Sequence, residues 1–210
     1  MTLAELRSLF RIKSGDIAAP YLWGDPEIDG FLNEAENEAA ERASLIYDDT
    51  SATSLINVVP GTKRYPLTAN VVRLDYAELT IPPAIEPDKI PIIDRREMRY
   101  RALFLIPDRT SIELNFTPDF SGTLRLGMYR LPNTQMTADT DTPEINARYH
   151  AKLLDWALHL AYLKTDSDSF DQGKADRHEA EFIANFGQRI DANVRRKHGE
   201  RRRHVTRCVF

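Results

Sequence analysis

The chain has almost no cysteine: Cys208 is the single one among 210 residues. One thiol excludes an intramolecular disulfide and a cysteine-based zinc site within one chain, and it suits a reducing compartment. Long apolar runs are missing too. No stretch reaches the roughly 18 apolar residues of a membrane span. The opening Met1-Thr2-Leu3-Ala4-Glu5-Leu6-Arg7 has no basic region followed by an apolar one, so no secretory signal is expected. These absences lead us to expect a soluble product made in the cytoplasm, with no membrane partner. Phosphate-binding glycine loops are also lacking: there is no G-x-x-x-x-G-K-[ST], no G-x-G-x-x-G, and no serine in a G-x-S-x-G context.

What is present is a globular composition, 42% hydrophobic and 29% charged, long enough to bury a core without staples. Charge is distributed unevenly. Residues 194–210 hold seven basic side chains against Glu200, a balance of +6, so residues 1–193 carry −10 from 21 basic and 31 acidic residues. An acidic body with a basic tail implies two different jobs.

Hydrophobic periodicity organises the body. Thr2-Leu3-Ala4-Glu5 reads as a capping box opening a helix with Leu3, Leu6, Leu9 and Phe10 on one face, ended by Gly15 and Asp16. Asp25-Pro26 reads as N-cap and first residue of a second helix, whose seam holds Ala35, Ala39 and Ala43 and invites close helix packing. From about 54 to 132 the texture becomes β-branched and alternating. Strands are expected at 54–59, 63–67, 71–81, 100–106, 111–116 and 122–130, with the proline-rich 82–87 as a loop. Thr142-Pro143-Glu144 repeats the cap-plus-proline start of a helix bearing Tyr149, Leu153, Trp156, Ala157, Leu160 and Ala161. A turn and cap at 165–169 precede a last helix with Phe170, Ala175, His178, Phe182 and Phe186, which Gly187 would close.

This order predicts an α+β fold. Helices of 1–47 and 142–190 form a bundle, 48–141 forms an inserted small β-sheet or sandwich, and 191–210 forms an extended basic C-terminal arm.

No catalytic constellation emerges. His178-Glu179-Ala180-Glu181-Phe182 falls short of the two-histidine zinc helix, because position 182 is Phe. His150 and His159 lie on opposite sides of one expected helix, about 13 Å apart along it. Glu34/Glu38 and Asp166/Asp168 read as solvated carboxylates, and Asp139-Thr140-Asp141 lacks the glycine and distal glutamate of a calcium loop. Neither a metal, a cofactor nor an enzymatic activity is expected.

The basic tail carries the positive signal. Arg195, Arg196, Lys197, Arg201, Arg202, Arg203 and Arg207 suit either phosphates or an acidic groove on a protein, while the apolar Val209 and Phe210 suit a protein pocket. Tyr21 and Trp23 read either as interface anchors or as caps of the bundle core.

Two blocks of sequence carry a resemblance. Leu3, Leu6-Arg7 and Pro20-Tyr21-Leu22-Trp23-Gly24-Asp25-Pro26-Glu27-Ile28 precede Asn33-Glu34-Ala35-Glu36-Asn37-Glu38-Ala39-Ala40-Glu41-Arg42-Ala43. Tyr129-Arg130-Leu131-Pro132 precedes Pro143-Glu144-Ile145, Tyr149-His150, Leu154-Asp155-Trp156-Ala157 and Ala175 through Phe182. This layout resembles the head-to-tail adaptor (connector, tail-tubular A type) proteins of short-tailed bacteriophages over most of 1–190. The resemblance implies a non-enzymatic virion protein of the neck and tail. Such a protein forms a homo-oligomeric ring, usually a dodecamer, beneath the portal protein, extends the DNA channel without binding genomic DNA specifically, and offers a platform to the tail nozzle or tail tube protein. It also implies that the C-terminal arm reaches the portal. The alternatives are a nucleic-acid-binding module acting through the same tail, a hydrolase with a carboxylate site in the β insertion, and another neck or tail-completion protein.

Overall fold

The computed structural model describes residues 1–83, 86–93, 102–105, 110–165 and 170–189. The fold is mixed α+β, with four α-helices and mainly antiparallel sheets among these residues. The chain divides into two compact units. One comprises Met1–Tyr47 and Tyr129–Gln188; the described residues of the other fall within Asp48–Met128 and at Arg189. No helix among the described residues is long and apolar enough to cross a membrane.

In the first unit α1 spans Leu3–Ser14. Its capping box forms: Glu5 N–H donates to Thr2 Oγ1 (3.3 Å) and Thr2 N–H to Glu5 Oε2 (2.9 Å). Gly15 ends it at φ 81°, a conformation that costs a side-chain-bearing residue more. The buried stripe is Leu3, Leu6 and Phe10. Leu9 is half-buried on the next stripe round the helix.

Helix α2 spans Asp25–Ala43, and Gly24, not Asp25, is its N-cap. The Asp25 carboxylate is drawn away to Arg11 (2.6 Å), so it does not fold back over the helix's free N–H groups. Ala35 and Ala39 are fully buried against Leu153, Trp156 and Phe182, as the alanine seam implied.

The third helix starts later than its sequence cue. Helix α3 spans Leu153–Tyr162, preceded by a 3-10 turn at Ala147–Lys152. The buried carboxylate of Glu36 accepts the N–H groups of Glu144 (2.5 Å) and Ile145 (3.3 Å). Glu144 itself pairs with Arg130 and accepts Asn133 N–H. This stretch is therefore pinned to α2 and does not wind into the helix that Thr142-Pro143 announces.

Helix α3 is buried on nearly every side, Asp155 and His159 included, and packs against α1, α2 and α4 (Gln172–Phe186). Asp171 caps α4 by accepting Lys174 N–H (3.0 Å), and Gly187 at φ 85° ends it. Residues 166–169 of the expected cap lie outside the described residues.

One sheet runs β1 (Ile46–Asp48), β9 (Gly122–Arg130), β4 (Val71–Thr80), β5 (Asp88–Ile90), with β2 (Leu55–Val58) also on β9. The other runs β3 (Arg64–Pro66), β8 (Ser111–Leu114), β7 (Leu103–Leu105), β6 (Ile92–Ile93), with β6 and β7 parallel. Both contribute to one aliphatic core containing Leu74, Leu79, Leu103, Ile112, Leu114, Leu124 and Leu126. Gly122 is obligatory: a Cβ there would lie 2.7 Å from Thr80 O. Residues 100, 101 and 106 of the expected fourth strand lie outside the described residues. The short β5 and β6 have too little alternation to read from sequence.

Candidate interaction surface

Every residue that the sequence singled out for docking, Arg195, Arg196, Lys197, Arg201, Arg202, Arg203, Arg207, Val209 and Phe210, lies outside the described residues. The Tyr21 and Trp23 pair does not, and it separates into two roles. Trp23 is 1% exposed and packs edge-on between Phe10 (5.6 Å) and Tyr162 (5.9 Å). Tyr21, two residues away, is 51% exposed.

A polar network holds the loop that carries both. Asp16 is buried, although it directly follows the helix-ending Gly15. Its carboxylate accepts Leu22 N–H (3.0 Å) and Trp23 N–H (3.4 Å) and pairs with Arg11 (2.8 Å). The same Arg11 donates to Trp23 O (3.1 Å) and Asp25 Oδ1 (2.6 Å), with its guanidinium 3.8 Å from the Tyr21 ring centroid. One cation thus serves two carboxylates, a carbonyl and an aromatic face, as the planar fork of arginine allows.

The network fixes a loop whose other side chains are apolar and exposed. Ile17 is 70% exposed and Leu22 52%, and Ile12 at the end of α1 is 65%. Next to them, Met1, Ala4, Glu5, Ser8, Leu9 and Ile12 line an open groove along α1. Their three-and-four spacing makes a second stripe beside the buried one. An apolar surface on a loop tied down by ion pairs is already ordered before a partner arrives, so binding there costs little conformational entropy.

Among the other candidates from sequence, His150, His159, Glu38 and Asp139 have structural partners. His159 Nδ1 lies 2.9 Å from Ala175 O, and His150 Nε2 lies 2.9 Å from Ile145 O. Glu38 is buried and pairs with Arg42 (2.7 Å), while Glu34 is exposed. Asp139 pairs with Arg7 (2.8 Å). Asp141 accepts Thr137 and Ala138 N–H groups (both 2.8 Å), bonds that hold its carboxyl below the usual range. Asp166 and Asp168 lie outside the described residues. Sequence reading missed Asp16, Arg11 and Glu36. Arg11 and Asp16 showed only as charge beside the end of α1 and Glu36 only as one acid among several within α2, patterns shared with solvated residues.

Comparison with known proteins gives a family match. The family model described as SU10 adaptor protein matches residues 1–207. No curated protein matches the chain.

Proposed function

The chain belongs to the SU10 adaptor protein family, phage head-to-tail adaptors, and from this premise we propose that it is one subunit of a ring between portal and tail. The family match over 1–207 carries the reading. In it, the helices of 1–47 and 142–190 form a bundle and the stretch 48–141 holds the inserted sheet. The ring extends the DNA channel and catalyses nothing. Its partners are further copies of itself, the portal protein and a tail nozzle or tail tube protein, and it resides in the virion neck.

Two features support the finer points. The exposed apolar surface of Ile12 at the end of α1 and of Ile17, Tyr21 and Leu22 in the loop after it is the kind that a neighbouring copy would bury. The balance of −10 over residues 1–193 suits a channel along which phosphates slide without sticking. Arg195, Arg196, Lys197, Arg201, Arg202, Arg203 and Arg207, with Val209 and Phe210, then dock on an acidic groove of the portal. Many copies engaging one ring offset the entropy of ordering each arm.

Electron microscopy of the protein mixed with its portal tests this. Closed rings seated on the portal are expected. A monomer that binds duplex DNA with steep salt dependence would replace this reading with the nucleic-acid one. Removing 195–210 should leave a folded chain that no longer binds the portal. Undiminished portal binding would remove the arm from the mechanism.

A further inference from the structure

The sequence fails to make a zinc helix at His178 because Phe182 stands where a second histidine would be, and the side chain of Phe182 is buried in the core. The fold brings other ligands to that histidine. His178 and Glu181 are three residues apart on α4 and share a face. Asp155, buried on α3, lies opposite. His178 Nδ1 is 3.5 Å from Asp155 Oδ1 and 4.0 Å from Glu181 Oε2, and the three ligand atoms all lie within 4.8 Å of one another. The Tyr162 ring stacks on the imidazole at 6.0 Å and 11° and fixes its plane. Nδ1 is shielded from solvent and has no aligned hydrogen-bond partner.

We propose that Asp155, His178 and Glu181 form a binding site for one divalent transition-metal ion, a staple joining α3 to α4. The distances fit this role. Metal–ligand bonds of about 2.0–2.2 Å in a tetrahedron set ligand atoms roughly 3.4 Å apart. The Asp155–His178 spacing is already close to that, and Glu181, with its side chain 45% exposed, closes its gap by a small rotation. One imidazole and two carboxylates select zinc, cobalt or nickel over calcium, which takes oxygen alone, and over copper(I), which takes thiolates. Three protein ligands leave a fourth position for water. Lys13 Nζ, 3.5 Å from Asp155 Oδ1, supplies the charge that balances the buried carboxylate. It is 38% exposed and can swing outward as the ion takes over that role.

Cobalt(II) titration of the full chain, stripped with chelator and dialysed, tests the site. One saturable equivalent with visible tetrahedral absorption bands is expected. Glu181→Gln, an exposed change that leaves the core untouched, should weaken binding on the order of a hundredfold, and His178→Ala should abolish it. Lys13→Gln removes a competing cation and should tighten binding on the order of tenfold. Wild-type affinity in Glu181→Gln and His178→Ala would place the ion elsewhere in the chain and overturn the proposal. So would a dissociation constant above about 1 mM in the parent protein, or weaker binding by Lys13→Gln.

Discussion

The two units stabilise themselves by different means. The sheet unit rests on an aliphatic core and backbone ladders: Leu124, Leu126, Ile112 and Leu114 are fully buried, on strands paired in register. Where the described residues of the sheet unit bury one carboxylate, Asp48, the helical unit buries several as well as apolar surface. Asp16, Glu36, Glu38 and Asp155 lie beneath it, each with a named partner. Those partners sit where helices stop: Asp16 holds the loop between α1 and α2, and Glu36 holds the segment before the 3-10 turn. Burying an ion pair adds little net stability, but breaking one is costly, so such pairs fix geometry more than they add stability. The helical unit therefore uses buried charge to hold irregular segments in one shape, and one of those segments carries its exposed apolar side chains.

Two large truncations test this contrast first. Trp23→Ala should cost about 3–5 kcal/mol and Leu124→Ala about 2–5 kcal/mol in denaturant unfolding. Hydrogen exchange separates them. Trp23→Ala should also accelerate exchange of the Leu22 amide, which Asp16 holds, whereas Leu124→Ala should leave that amide protected below global unfolding. Equal acceleration in both variants would show that the loop depends on overall stability and not on its own network.

Asp16→Ala is the next largest. It strands Arg11 and two loop N–H groups and should cost about 3 kcal/mol. Asp16→Asn retains acceptors and should recover part of this. A cost under about 0.5 kcal/mol would mean that water replaces the carboxylate, and the contrast between the units would weaken.

Glu36 gives a smaller effect with a sign. Burial raises its carboxyl above the ordinary value near 4.5, outweighing the Glu144 and Ile145 N–H bonds that lower it. The folded chain then holds this proton more tightly than the unfolded one. Its contribution falls as pH rises from the ordinary value through the raised folded value. Glu36→Gln should remove that fall, while Glu36→Ala should cost about 1–3 kcal/mol by orphaning two N–H groups. Asp155 runs the opposite way. Burial raises its carboxyl, but His178 and Lys13 together hold the net value below 3.8. Its contribution is complete above that ordinary value and is lost as pH falls through the lowered folded one. Acid titrations of Glu36→Gln and Asp155→Asn should therefore depart from the parent in opposite directions.

Legibility in the sequence follows the same division. Elements set by local rules were readable: the Thr2–Glu5 capping box, the alanine seam of α2, the alternation of β9 and the Gly187 stop all appear where the pattern puts them. The errors occur where a distant side chain competes for a local cap. Asp25 looks like a cap until Arg11 takes it, and Pro143-Glu144 looks like a helix start until Glu36 takes the N–H groups. A charged residue written beside a helix end does not reveal whether it will face water or a partner more than a hundred positions away. The loop from Asp16 to Trp23 was half legible for the same reason. Two aromatics marked it, but nothing local said that Trp23 would turn inward and Tyr21 outward.

The smallest expected effect on stability is the most informative about function. Ile17, Tyr21 and Leu22 are each more than half exposed, so serine at 17 and 22 should each shift stability by under about 0.5 kcal/mol, and serine at 21, which loses the ring beneath Arg11, by about 0.5–1 kcal/mol. The loop's backbone bonds run through Asp16 and Arg11 and remain in place, so its shape should persist. If this surface packs against a neighbouring copy, the variant should melt like the parent yet fail to close rings on the portal in sedimentation and microscopy. If it instead meets the tail protein, rings should form and tail addition should fail. A variant that completes both steps would leave the loop without a role in assembly. The buried charge of the helical unit would then be fixing a shape for some other purpose.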